Sequence, residues 1–282
     1  MRVLVVGCGY VGLALAAELA RQGHHVWGLR RTQAAEAELK SAGVTPITAD
    51  ITQPETLAGL PARFDWVALC VSSSHGGAEA YRQVYLEGTR NLLHRLRTSP
   101  PEKLVYTGST SVYGQTDGSL VDETSPTEPV TETARVLVEA ERLLLAAPCP
   151  AVVLRVAGIY GPGRGYWLQQ FLKGEAKLDG DGGRITNMIH RDDVAGAVIA
   201  ALPHARPGEI YNAVDDEPVS QRDLFQWLAE RLRKGLPPAA PEDAAAARKR
   251  GLTSKRVSNR KLKEHLRYQF KFPSFREGFP AC

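Results

Sequence analysis

The chain has 282 residues, of which 43% are hydrophobic and 23% charged, with a net charge of +4. That size allows one large α/β unit or two small domains with a sizeable core, and the mild positive balance suits an anionic cofactor or substrate but is too weak to argue for nucleic acid. No apolar run approaches the roughly 20 residues of a membrane helix, no signal-peptide layout precedes the first strand, and Cys8, Cys70, Cys149 and Cys282 are scattered without metal-ligand spacing, so a reducing cytoplasm and no metal are expected.

Residues 2–6 read as a short buried strand that runs into Gly7-Cys-Gly9-Tyr-Val-Gly12 and then a helical stretch over 13–20. In that strand–turn–helix context the first glycine permits a tight turn and the second lets backbone approach a pyrophosphate. The third lets the helix pack on the sheet, with its first N–H groups facing the phosphates. Further strands are predicted over 25–29, 45–49, 66–71, 103–107 and 151–156, with amphipathic helices over 33–41, 79–96 and 130–146. This alternation predicts an α/β fold, a doubly wound parallel sheet with helices on both faces and ligands at the strands' C-terminal ends.

After Gly158 the regularity breaks, with glycine-rich loops over 161–165 and 180–183. A helix over 192–202, a strand over 209–213 and a helix over 220–233 follow. Residues 235–247 hold three prolines and an alanine run, which reads as a surface excursion or mobile lid. The basic stretch 248–263 reads as a solvated helix face or a contact to substrate phosphate. The expected division is a dinucleotide-binding unit over 1–160 and a mixed region over 161–282. The latter returns to the sheet at about 188–215 and otherwise forms a small substrate-covering domain.

Seven blocks occur in order: Gly7–Gly12, Asp50-Ile51, Gly88-Thr-Arg-Asn-Leu92, Thr107-Gly-Ser-Thr-Ser-Val-Tyr-Gly114, Leu154-Arg-Val-Ala-Gly-Ile-Tyr-Gly-Pro162, Ile189-His-Arg-Asp-Asp-Val-Ala195 and Tyr211-Asn-Ala-Val-Asp-Asp-Glu-Pro218. Together they resemble the extended short-chain dehydrogenase/reductases, the NAD(P)-dependent epimerase/dehydratase superfamily, over nearly the whole chain. The resemblance implies that Gly7, Gly9, Tyr10, Val11 and Gly12 hold a pyrophosphate and that Asp50 and Ile51 contact the adenine. Cys70, Val71 and Ser72 would lie along the nicotinamide ribose, and Ser109 would hydrogen-bond the reacting oxygen. It also implies a possible homodimer through the helices over 79–96 and 130–146. The end of the second strand, where NAD enzymes carry an acid for the ribose 2′-hydroxyl, holds Arg30-Arg31. Guanidinium forks suit the 2′-phosphate of NADP, so NADP is preferred over NAD.

The resemblance fails at its chemical centre. The family's Tyr and its Lys four residues later fall on Thr133 and Leu137; shifting by two gives Thr131 and Arg135. An aliphatic hydroxyl is a far weaker acid than a phenol of pKa about 10, and Arg135 cannot shuttle a proton. Tyr113 is the replacement acid to consider, with weaker cases for Tyr160 and His190; Asp192 or Asp193 is expected to cap the helix that follows. The glycine spacing is tighter than usual for the group, and Tyr85 stands where Asn is common. Arg164, Lys177, Arg184 and Arg191 would meet phosphates or solvate loops. Two functions follow. One is an NAD(P)-dependent oxidoreductase, epimerase or dehydratase acting on a small or nucleotide-sugar carbonyl or alcohol. The other is a catalytically degenerate NADP(H)-binding sensor or assembly protein.

Overall fold

Strand β1 (Arg2–Val6) is buried on both faces because its apolar residues alternate between two layers. Val3 and Val5 join one core cluster and Leu4 and Val6 the other. The computed structural model describes residues 1–73, 76–241 and 253–279. After β1 come α1 (Tyr10–Arg21), β2 (His25–Arg30), α2 (Glu36–Ser41), β3 (Thr45–Thr48) and β4 (Trp66–Leu69). Helix α3 (Ala78–Tyr81) continues through a π-helical stretch, Arg82–Glu87, into α4 (Gly88–Leu96). Then follow β5 (Lys103–Ser109), β6 (Leu120–Val121), α5 (Glu132–Ala146), β7 (Ala151–Val156), β8 (Gly158–Tyr160), α6 (Tyr166–Lys173), β9 (Ile185–Thr186), β10 (Met188–His190) and α7 (Arg191–His204). The described chain closes with β11 (Ile210–Ala213), β12 (Val219–Ser220), α8 (Gln221–Leu232), β13 (Arg256–Val257), α9 (Arg260–Leu266) and α10 (Phe275–Gly278).

Seven strands form one parallel sheet in the order β11-β7-β5-β4-β1-β2-β3. The chain winds outward from β1 to β3, then crosses to β4 and winds the other way. The crevice for a ligand therefore opens where β1 and β4 part. Helix α1 packs against α7 on one face, while α4 and α5 cover other parts of the sheet. A separate aromatic cluster of Tyr160, Phe171, Phe225, Phe275 and Phe279 holds α6, α8 and α10 together.

Several boundaries differ from the sequence reading. Strand β4 stops at Leu69, two residues early, while β5 runs on to Ser109 by pairing Gly108 and Ser109 with Arg155 and Val156. The π turn inside the helix predicted over 79–96 is the kind of insertion that recurs at functional sites. His190 caps α7 through Nδ1, which accepts from Asp192 N at 3.1 Å. Neither expected aspartate takes that role. Asp193 instead accepts from Tyr268 Oη and from the backbone N–H groups of Lys271 and Phe272, fixing the C-terminal segment to α7. Residues 235–241 run irregularly beside Leu178, and 242–247 of the proposed lid lie outside the described residues. So do 248–252 of the basic stretch. Its remainder divides: β13 pairs with β6, Lys255 is only 4% exposed and Leu262 is buried, while Arg260 and Lys263 on α9 keep 78% and 45% of their side chains exposed, the solvated helix face expected.

Candidate functional site

The glycine turn is built by backbone constraint. Gly7 sits at φ +80°, and an added Cβ would meet Cys70 O at 2.6 Å. Gly12 lies directly beneath, where a Cβ would come within 2.4 Å of Gly7 O. The N–H groups of Gly7 and Cys8 donate to Leu29 O, tying the turn to β2. Helix α1 starts at Gly9 with no side-chain cap, so its first-turn N–H groups are left for an anion.

A cleft of about 1340 Å³ opens over this turn. It brings together Gly7, Gly9, Tyr10, Val11, Arg30 and Arg31 with Asp50, Ile51, Cys70, Val71 and Ser72. Gly12 supports this surface from below. Arg30 Nη1 donates to Cys8 O at 3.3 Å and stands 3.5 Å from Glu38 Oε2, so its guanidinium is braced across the glycine turn. Asp50 Oδ1 accepts from Thr52 N and Oγ1, and Asn91 Nδ2 donates to Ile51 O at 2.8 Å. The Ile51 side chain packs against Gly88, where a Cβ would lie 2.5 Å away. These contacts explain the block from Gly88 to Leu92: it seats the wall formed by Asp50 and Ile51. Burial pushes the thiols of Cys8 and Cys70 up to about 12, so both stay protonated and unreactive.

Ser109 lies in the same cleft at the C-terminal end of β5, where its Oγ accepts from Ser111 N at 3.2 Å. Thr131, Thr133 and Leu137 face the cleft from the start of α5. Thr131 caps that helix through Oγ1, which accepts from Ala134 N at 3.2 Å, so its hydroxyl serves the helix start. No phenol or ammonium stands on α5 beside Ser109.

Tyr113 cannot fill that gap. It is fully buried, does not line the cleft, and its hydroxyl donates to Asn212 Oδ1 while accepting from Arg155 Nη1, both at 2.9 Å. Burial also pushes its phenol above the usual value. Arg155 pairs with Glu141 at 2.8 Å, with both side chains at 5% exposure or less. This network clamps β7, α5 and the turn after Ser109. Tyr160 lines the cleft, but its hydroxyl donates to Ser274 O. His190 is buried outside the cleft and held neutral by desolvation.

Of the cleft residues, sequence reasoning missed Tyr81 and did not place Tyr85 or Lys255 there, while the arginines and Lys177 were anticipated. Tyr81 and Tyr85 enter from the helix that carries the π turn, their rings tilted with centroids 4.9 Å apart; the departure from Asn at Tyr85 was their only signal. Arg164 and Arg191 lie over the Tyr10 ring, 5.0 and 5.2 Å from its centroid. Arg164, Lys177, Arg184 and Lys255 line the substrate-side half. Lys255 was hidden in a stretch that reads as surface. Among the described residues no cluster of His, Cys, Asp or Glu could hold a metal ion, and no helix is long and apolar enough to cross a membrane.

The sequence profile of the NAD dependent epimerase/dehydratase family matches residues 3–213. Protein YeeZ of Escherichia coli K12 is 29% identical over 276 residues, covering 96% of each chain. A functionally unknown conserved protein from Silicibacter pomeroyi, of known structure, is 31% identical, with a TM-score of 0.79 over 99% of this chain and 96% of its own. DesIV, the dTDP-glucose 4,6-dehydratase of Streptomyces venezuelae, solved with NAD bound, shares the fold at a TM-score of 0.83 and 22% identity, covering 99% of this chain and 94% of its own.

Proposed function

The chain belongs to the NAD dependent epimerase/dehydratase family, and from that premise we propose that it is an oxidoreductase that binds NADP(H) in this cleft. Its substrate is a small carbonyl or alcohol placed beside Ser109. The observation that carries this reading is one continuous cleft joining the glycine turn, the Arg30-Arg31 edge and Ser109. The cradle fits the dinucleotide: Gly9 leaves the open side of the turn without a side chain, where an added Cβ would find nothing nearer than Gly7 O at 4.0 Å, and the start of α1 has no side-chain cap. When bound, the cofactor supplies hydride chemistry.

Gly7, Gly9, Tyr10 and Val11 would hold the pyrophosphate, with Gly12 keeping α1 close beneath them. Arg30 and Arg31 would pair with the 2′-phosphate, Arg30 giving up its 3.5 Å contact with Glu38 to do so. Asp50 and Ile51 would flank the adenine, and Cys70, Val71 and Ser72 the nicotinamide ribose. Ser109 Oγ donates to the reacting oxygen and so orients the substrate.

Without a phenol and an ammonium on α5, turnover is expected to be slow, since a positioned general acid contributes about 10²–10⁴ in rate. Thr133 and Leu137 at those positions also favour a second reading, a protein that binds NADP(H) and reports its occupancy without turnover. NADPH oxidation with a panel of carbonyl compounds separates the two. Slow wild-type turnover that Ser109→Ala abolishes, and that Thr133→Tyr/Leu137→Lys raises by about 10²-fold, is the result expected of an enzyme. NADPH bound with no oxidation in either protein assigns the sensor instead.

A further inference from the structure

Lys255 is a buried cation with no counter-ion among the described residues. Its ammonium donates to Tyr113 O at 3.0 Å and to Thr253 Oγ1 at 2.9 Å, both neutral oxygens, and it lines the cleft. Among the described residues no carboxylate lies within ion-pair distance of it, and the charged group facing it is another cation, Arg184. Arg184 is itself answered by Asp179 at 3.1 Å and stacks over Trp167 at 5.2 Å. Among the described residues the charge of Lys255 is therefore left uncompensated.

The position of Lys255 is firmly built. Asn187 Nδ2 donates to Lys255 O and Asn187 Oδ1 accepts from Val257 N, each at 2.9 Å, while Ile185 N donates to Ser254 Oγ at 3.1 Å. These bonds staple the segment before β13 to the β9–β10 connection and aim Lys255 at the turn that follows Ser109. A buried charge without a partner is costly, and a fold retains one readily where a ligand completes it.

The geometry points to Lys255 as the anchor of an anionic subsite in the substrate half of the cleft, one that takes the carboxylate of a small carboxylic-acid substrate. A carboxylate supplies the one negative charge that Lys255 lacks among the described residues. This deepens the oxidoreductase reading and rests on it for the substrate's orientation toward Ser109. Burial, with Arg184 close by, pushes the ammonium down to about 8, so acid binding should fade as pH rises past that value.

Calorimetric titration tests the subsite with levulinate, benzoylacetate and cinnamate, each beside its methyl ester, and with inorganic phosphate, with and without NADPH. The wild type is expected to bind at least one acid about tenfold tighter than its ester below pH 8. Lys255→Met and Lys255→Gln should lose that preference while binding NADPH as before. Thermal midpoints give a second readout. Lys255 binds fewer protons folded than unfolded between about 8 and its unfolded value of 10.5, so its cost is fully present at pH 7 and disappears at higher pH. Lys255→Met should therefore match or exceed the wild-type midpoint at pH 7. A merely structural role predicts a lowered midpoint with acid preference intact, and that result overturns the proposal. So does an equal affinity for acids and esters in the wild type, or tighter binding of inorganic phosphate than of any acid. Acid preference in a protein that binds no NADPH would refute the dinucleotide reading and leave the subsite standing.

Discussion

Gly12→Ala is expected to weaken NADPH binding by about 10–10²-fold and to lower stability together with it. The added Cβ would come within 2.4 Å of Gly7 O and 3.2 Å of Val5 Cγ1. The first of these is backbone, so relief requires α1 to move off the sheet. Overpacking of this kind costs about 1–3 kcal/mol, and each 1.4 kcal/mol lost from binding is about tenfold in affinity. Gly9→Ala is the matched control. Its Cβ would find Gly7 O at 4.0 Å and nothing closer, so the fold should survive while the methyl group stands where the pyrophosphate approaches. Loss of binding in both variants, with loss of stability in Gly12→Ala alone, is the expected pattern in paired thermal melts and nucleotide titrations. NADPH binding at wild-type strength in Gly9→Ala would count against a pyrophosphate over this turn.

Removing one partner of the buried pair between Arg155 and Glu141 should give the largest loss of stability. Breaking such a pair typically costs about 3–5 kcal/mol, because the remaining charge is stranded. Burial raises the Glu141 carboxyl above the usual 4.5 although Arg155 pulls it down. The folded state then holds the proton more tightly than the unfolded state, so this group's contribution falls as pH rises from about 4.5 through the raised value. Glu141→Gln should remove that dependence. Denaturant unfolding of Glu141→Leu, Arg155→Met and the double variant checks the coupling. The double variant should lose less than the sum of the singles, since two apolar side chains strand no charge. Additive losses would mean that the residues contribute independently. Arg155 also holds Tyr113 beneath the turn after Ser109, so the singles are expected to loosen the substrate side as well.

Most of the sheet was legible because a parallel strand buried on both faces is a continuous apolar run, as in Val3 to Val6 and Ala151 to Leu154. The glycine turn was legible because only glycine fits at Gly7 and Gly12. What escaped depends on contacts distant in sequence. Nothing local distinguishes Tyr113, in a strand-end turn, from a residue facing a ligand; its burial is decided by Arg155 and Asn212, 42 and 99 residues away. Lys255 escaped for a similar reason: a lysine among Arg, Ser and Asn reads as surface until β13 is seen to pair with β6. His190 shows the reverse case, in which the helix start was legible but the capping group lay two residues before the nearer aspartate, Asp192.

The central claim is that the cleft takes NADP(H), with Arg30 and Arg31 on its 2′-phosphate. A fluorescence titration with NADPH and NADH, on the wild type and on Arg30→Ala/Arg31→Ala, tests it most directly. The account predicts NADPH bound at least about tenfold tighter than NADH, a preference that the double variant loses while NADH binding changes little. Binding of neither nucleotide, or a preference for NADPH that survives removal of both arginines, would contradict it.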